Sequence, residues 1–179
     1  GSVTSGDAGL RDLLTRIEAS AATNLDEARR VVGALAGVGD GGLVAALRRI
    51  TDAFAEESGV ATDLRVDGDL SGLPTTVEVA LVRTAQGALA NVRRHAHADR
   101  VVVSLVDAGD SVRLDVVDDG VGFDPDSVAA QPGSPNSGGY GLPSTRARLR
   151  ELGGGLEVES TPGDGTVLSA FVPLGGGPG

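Results

Sequence analysis

Apolar residues recur at helical spacing near the start of the chain. Leu10, Leu14, Ile17, Ala21, Ala28, Val31 and Leu35 follow alternating steps of four and three, and the polar Asn24 occupies one position of the same seam. That step is the heptad pattern of a helix packing on another helix. Leu13, Leu25 and Val32 widen the apolar face. The pattern predicts one long helix over residues 10–35, either a dimerisation helix or a helix folded back on its own domain. Gly33, Gly37, Gly39, Gly41 and Gly42 interrupt it. Helical spacing resumes at Leu43, Leu47, Ile50 and Phe54, which predicts a helix over 43–58. Alternation over Thr62–Val66 predicts a short strand, and Gly68–Pro74 a turn. Residues 75–98 read as a second long helix, with Val79, Val82, Leu89 and Val92 inside. Two strands, Arg100–Asp107 and Ser111–Asp118, flank the hairpin turn at Gly109-Asp110. Residues 120–141 form a loop, Leu142–Leu152 a helix stopped by three glycines, and Leu156–Ser160 and Thr166–Pro173 the last strands.

Helices come first, then strands and helices interleave around an antiparallel hairpin. The fold class is α+β, with one sheet face covered by helices as the economical packing. The chain's 179 residues suffice for one domain plus a helical extension. The expected division is a helical segment over 1–38, a main domain over 39–175 and a glycine-rich tail over 176–179. Gly1-Ser2 has the composition of a cloning remnant, so native sequence is expected upstream.

Composition narrows the function. The aromatic residues are one Tyr and three Phe, so the core is aliphatic and platforms for stacking bases are nearly absent. A net charge of −10 argues against nucleic-acid binding, which depends on neutralising phosphates, and serves solubility instead. The lack of Cys excludes disulfides and thiolate metal sites. No apolar run approaches the roughly 18 residues that span a bilayer. A cytoplasmic domain is expected.

Three stretches carry candidate chemistry. Asp118-Asp119-Gly120-Val121-Gly122 ends a Val-rich strand. A carboxylate leaving an apolar strand needs a partner, and two nearby glycines allow the backbone to turn and approach a ligand closely. Asp118 could accept from an exocyclic amine such as that of adenine; a plain acidic turn is the alternative. Gly138-Gly139-Tyr140-Gly141-Leu142 precedes a helix. Glycines there expose N–H groups and the positive end of the dipole, which favour phosphate, although flexible loops often end this way. Asn91 lies on the long helix with Arg94 and His95 after it. Its amide oxygen suits Mg²⁺, which keeps water and shares phosphate oxygens; a surface polar residue is the alternative. His95 and His97 are two apart on a helix and face different ways, which argues against a shared transition metal.

These stretches occur in order, followed by Gly163-Asp164-Gly165-Thr166 before the last strand. The set resembles the N box, the two glycine boxes and the terminal G-x-G-T of the GHKL ATP-binding fold. It is more closely similar to histidine kinases of the nitrate/nitrite-sensor subclass, through RTAQGALANVRRHAHA (83–98), VVDDGVGFD (116–124), GGYGLPSTRARLRELGGGLEVES (138–160) and GDGTVLSAFVPL (163–174). NLDEARRVVGAL (24–35) resembles the end of that subclass's second dimerisation helix.

The resemblance implies a two-layer α/β sandwich holding ATP, preceded by a long N-terminal helix. In it Asn91 would ligate Mg²⁺, and Arg94 and His95 would lie near phosphates or ribose. Asp118 would bind the adenine amino group in a pocket shaped by Gly120 and Gly122. Gly139, Gly141 and Leu142 would border the phosphates, Thr166 would support adenine through water, and 124–138 would be the lid over ATP. Two departures follow. The family's acidic residue four positions before the Mg²⁺-binding Asn is Gly87 here. The phosphoacceptor His belongs to a first dimerisation helix, whereas the only histidines here are His95 and His97. The expected activity is therefore histidine kinase in the full-length protein, a homodimer, with the phosphate passing to a response-regulator receiver domain and a membrane or ligand-sensing segment upstream as in most relatives. The rivals are a GHKL serine kinase or ATPase of the anti-sigma type and a degenerate ATP-binding module.

Overall fold

The structure is a computed structural model that describes residues 41–125 and 141–175, all within one compact unit, Gly37–Gly179. The predicted helix over 10–35, Gly139, the predicted lid beyond its first two residues and the tail over 176–179 lie outside the described residues.

The described chain runs α1 (Gly42–Ser58), β1 (Ala61–Asp67), α2 (Thr75–Asn91), β2 (Arg100–Asp107), β3 (Ser111–Asp118), α3 (Gly141–Glu151), β4 (Gly155–Ser160) and β5 (Thr166–Pro173). No helix among the described residues is long and apolar enough to cross a membrane.

Helix α1 begins without a side-chain cap of its own. Its Leu43 N–H instead donates to Oε1 of Glu78, 3.2 Å away in the first turn of α2. One carboxylate thereby satisfies an orphan donor and joins two helix starts. Helix α1 ends at Gly59, a left-handed residue with φ 73° whose N–H returns to the Ala55 carbonyl at 2.9 Å.

Helix α2 differs from the prediction in its second half. The regular helix stops at Asn91, and Val92–Ala96 form a π-helical turn rather than more α-helix to residue 98. The helical run then ends on a tertiary contact: the Ala96 carbonyl accepts the Val121 N–H at 2.7 Å, and His97 takes φ 50° to leave the helix. Single-turn π-bulges of this kind often mark functional sites.

Five strands make one sheet in the order β1-β2-β3-β5-β4. Strand β1 runs parallel to β2, with α2 as the crossover, and every other pair is antiparallel. Alternation settles which face is buried. Val101, Val103 and Leu105 of β2, Val112, Leu114 and Val116 of β3, and Leu168, Ala170 and Val172 of β5 all point into the core. The register sets them side by side, as in Leu105–Leu114–Ala170 and Val103–Val116–Leu168. The helices close that face with Leu47 of α1, Leu81 and Val82 of α2 and Leu149 of α3, all fully buried. The core is aliphatic, as the composition requires, with Phe54 as its buried aromatic.

Helix α3 stops in a Schellman arrangement, in which the Gly153 N–H returns to Arg150 at 2.9 Å and the Gly154 N–H to Leu149 at 2.8 Å. Gly154 then passes so close to β5 that a Cβ there would collide with the Phe171 carbonyl. Gly87, in the middle of α2, is exposed with open space where a Cβ would stand.

The two glycines predict opposite outcomes. Gly87→Ala removes helix-interior backbone entropy and raises stability by about 0.5–1 kcal/mol. Gly154→Ala forces a carbonyl aside and lowers it by about 1–3 kcal/mol. Urea unfolding of the two variants beside the parent chain reads both, and a loss of stability in Gly87→Ala would contradict the open environment.

Candidate functional site

Strand β3 carries one polar side chain on its buried row. The inward positions run Val112, Leu114, Val116 and then Asp118, which is only 7% exposed. Asp118 stands opposite Thr166 of β5, and Thr166 stands opposite Ser160 of β4. The apolar row of the sheet thus ends in a polar line across three strands, at the edge where β3 leaves the sheet and β5 enters it.

One Asp118 oxygen, Oδ1, accepts the Gly120 N–H at 3.0 Å. The Ser160 hydroxyl donates to the Gly165 carbonyl at 2.8 Å, accepts the Phe123 N–H at 2.9 Å and lies 3.1 Å from the Thr166 hydroxyl. Burial pushes the Asp118 carboxyl above the usual aspartate value. The Gly120 N–H opposes that push, the adjacent Asp119 carboxylate adds to it, and the N–H and hydroxyl of Thr166 oppose it more weakly. Its net position is that of an acid whose charged form the fold disfavours.

The glycines of the site are required by the protein's own backbone. A Cβ on Gly120 would collide with the Ala96 carbonyl. Gly122, with φ 60°, leaves no room against the Thr161 carbonyl and would place a Cβ 2.8 Å from that of Gly165. Gly165, with φ 79°, is pressed against the Asp118 carbonyl. The Gly163 N–H donates to the Val121 carbonyl at 2.7 Å. The D-x-G-x-G and G-x-G-T stretches are therefore one interlocked unit. Its close approaches are between segments of the chain, where sequence reasoning expected them toward a ligand.

Asp119 has a different part. It is exposed, and its Oδ1 accepts the N–H groups of Asp99 and Arg100 at 3.0 and 2.8 Å. Sequence reasoning singled out its neighbour Asp118 and gave Asp119 no part of its own. Ser160 was missed as well, although folding β4 onto β5 around Pro162–Gly165 pairs it with Thr166.

Asp118, Gly120, Gly122 and Thr166 are thus brought together. The other candidates lie on segments leading to them. Asn91 is half-buried at the last position of α2, and Arg94 and His95 are exposed on the π-turn that ends at Ala96. The adjacent Arg93 is held 3.0 Å from Glu57 of α1. Gly141, exposed, and Leu142, half-buried, open the first turn of α3, where the Thr145 hydroxyl donates to the Gly141 carbonyl at 2.8 Å. Gly87 stands one helical turn before Asn91, so positions 87 and 91 share a helix face. Chemically, the cluster offers a desolvated acceptor at the end of an apolar sheet face, beside a helix terminus that carries an amide and basic groups.

Residues 76–176 match the family model described as histidine kinase-, DNA gyrase B-, and HSP90-like ATPase. The chain is 30% identical over 167 residues to the signal transduction histidine-protein kinase/phosphatase DegS of Brevibacillus brevis, covering 92% of this chain and 40% of that protein. It is 36% identical over 133 residues to the sensor histidine kinase LiaS of Bacillus subtilis, covering 74% of this chain and 34% of that protein. It thus spans less than half the length of these curated relatives. Among solved structures it is similar to the histidine kinase domain of the blue-light activated histidine kinase of Erythrobacter litoralis EL346. The TM-score is 0.62 at 26% identity, with 90% of this chain and 82% of that one covered. A five-stranded sheet covered by helices on one face, with its two glycine-rich turns interlocked at one end, is the frame on which that match falls, and the chain belongs to the histidine kinase-, DNA gyrase B- and HSP90-like ATPase family.

Proposed function

We propose that this chain is the ATP- and Mg²⁺-binding catalytic domain of a sensor histidine kinase. The observation that carries the proposal is Asp118, a carboxylate buried at the end of an apolar row, whose charged form costs the fold stability. A group held in that state is better matched to a ligand that donates to it than to the empty protein. The exocyclic amine of adenine is such a donor, and Thr166 stands beside Asp118 to hold a bridging water.

The phosphates would lie toward the start of α3, where the first-turn N–H groups after Gly141 and the helix dipole favour anions. Gly139 would border them as well. Arg94 and His95, exposed on the π-turn, would face the phosphate or ribose side. No three His, Cys, Asp or Glu gather into a metal site among the described residues. Asn91 as one protein ligand beside phosphate oxygens and water is the coordination Mg²⁺ accepts. When bound, Mg²⁺ would offset charge on the phosphates. The chain's own residues would bind adenine, orient the nucleotide and exclude water.

The attacking imidazole would come from the dimerisation domain of the full-length protein, a homodimer, and the phosphate would pass on to an Asp of a response-regulator receiver domain. The full-length kinase would act in the cytoplasm, with or without a membrane anchor. Residues 1–38 would be the end of the second dimerisation helix and 39–175 the catalytic domain. Gly87 favours a second reading, an ATP-binding domain slow in transfer, because the site facing Asn91 along the helix offers no carboxylate.

Calorimetric titration of ATP with Mg²⁺ tests the site. Asp118→Ala weakens binding between about tenfold and about a hundredfold, the worth of a hydrogen bond to a charged group. Unchanged affinity would remove Asp118 from the adenine site.

The pH dependence follows from the sign of the Asp118 shift. A raised carboxyl favours the folded state while protonated, and that contribution is lost as pH rises through its folded value. Asp118→Asn therefore gains stability over the parent chain on going from acid to neutral pH. ATP affinity moves the opposite way in the parent chain, weakening as acid protonates Asp118 above the ordinary aspartate range. Parallel denaturation and titration series across that range check both signs.

In a full-length protein with its phosphoacceptor, Gly87→Glu raises transfer from ATP by about a hundredfold or more, the range of a positioned acid–base group, and leaves ATP affinity nearly unchanged. A Gly87→Glu chain no faster than the parent would end the slow-transfer reading.

A further inference from the structure

Two carboxylates stand at the end of strand β3, and they do different things. Asp118 is buried in the core row. Asp119, the next residue, is exposed and turns toward the start of β2, where its Oδ1 takes the N–H groups of both Asp99 and Arg100. The ladder between β2 and β3 is failing there, since the Asp119 N–H reaches the Arg100 carbonyl only at 3.3 Å. The side chain thus prolongs the pairing by one step after the backbone has begun to separate. Immediately beyond it, Gly120 presses on Ala96 and the Val121 N–H bonds the Ala96 carbonyl.

Between these two ties runs His97–Asp99, which includes His97 at φ 50°, a conformation that side chains other than glycine adopt at a cost. Something must hold the segment in it. We infer that Asp119 is a positioning residue that clamps the 97–99 turn to the end of β3 and so fixes the spacing between the Asn91 end of α2 and the Asp118 end of the sheet. The inference rests on the nucleotide reading above, in which these two ends take opposite parts of one ATP molecule. A clamp between them sets how well a ligand spanning both is bound, and matters little to a ligand occupying only one.

Four chains of full length separate this from a general effect on folding: the parent, Asp119→Ala, Asp119→Asn and Asp119→Glu. Asparagine keeps an oxygen acceptor at the same reach without the charge. Glutamate keeps the charge and moves the acceptor by one methylene. Titration with ATP plus Mg²⁺ and with adenosine alone gives the diagnostic comparison. In Asp119→Ala and Asp119→Glu the affinity for ATP with Mg²⁺ falls about tenfold, the scale of lost charge-assisted hydrogen bonds, while adenosine affinity is nearly unchanged. Asp119→Asn binds both like the parent. In the ligand-free chains, amide exchange at Asp99 and Arg100 accelerates in the Ala and Glu variants and stays slow in Asn.

Parent-like binding of ATP with Mg²⁺ by Asp119→Glu overturns the clamp, and so does an equal fall in adenosine and ATP affinity. If Asp119→Ala does not fold, the Glu and Asn pair carries the same test. Failure of the parent chain to bind adenosine or ATP at all, with exchange at Asp99 and Arg100 slow, would sink the nucleotide reading and this inference with it, whereas parent binding with no difference among the variants would sink the inference alone.

Discussion

Three close approaches of backbone to backbone hold this site in shape. Gly120 lies on Ala96, Gly122 on Thr161 and Gly165, and Gly165 on Asp118. Each is a place where a side chain would meet a carbonyl, and the last two also require a left-handed backbone. Together they tie the end of β3, the β4–β5 turn and the end of the π-turn into one node. The polar line of Asp118, Thr166 and Ser160 exists because that node aligns three strand ends that would otherwise fray independently. The helical run stops at Ala96 for the same reason, since the carbonyl that would have accepted the next helical bonds is committed to Val121.

The node also explains how the protein keeps a carboxylate where the fold alone would not want one. Asp118 is buried at the end of a row of valines and leucines, and its nearest donors only partly offset the loss of water. An apolar residue in its place would continue the row. Backbone interlocking contributes rigidity around the carboxylate without depending on its charge, so the residue is free to be matched to a ligand. If Asp118 takes the proposed ligand, stability and binding pull in opposite directions at a single side chain, the usual relation at a preorganised site.

Much of this was readable from the chain before its structure. The strands Arg100–Asp107, Ser111–Asp118 and Thr166–Pro173 follow from alternation and a Gly-containing turn, and their bounds were found as written. The helical cover on one sheet face followed from element order. Asp118, Gly120, Gly122 and Thr166 were recognisable as motif members, and the structure gathers them. What could not be read is tertiary. Helical periodicity carries through Val92 and gives no warning that Ala96 is claimed by a loop 25 positions later. The glycines announced a close approach without saying to what. Asp118 was singled out as the carboxylate leaving an apolar strand, but the bonds of Asp119 to the Asp99 and Arg100 N–H groups depend on how β3 pairs with β2 and could not be read.

Gly87 shows where the constraint ends. The residues around Asp118 are locked, because a Cβ on any of the three node glycines meets a carbonyl. Gly87 sits on the exposed side of α2 with nothing within contact distance of a Cβ, so the fold accepts a side chain's first carbon there without collision. Its only intrinsic effect is the entropy that glycine costs a helix interior. The part of the site that would hold adenine is therefore bound up with how the strands end. The part that would assist transfer depends on one open position that packing does not dictate. On the proposed reading, binding and turnover would change separately on this scaffold, since the first would depend on the interlocked backbone around Asp118 and the second on one open position of an already stable helix.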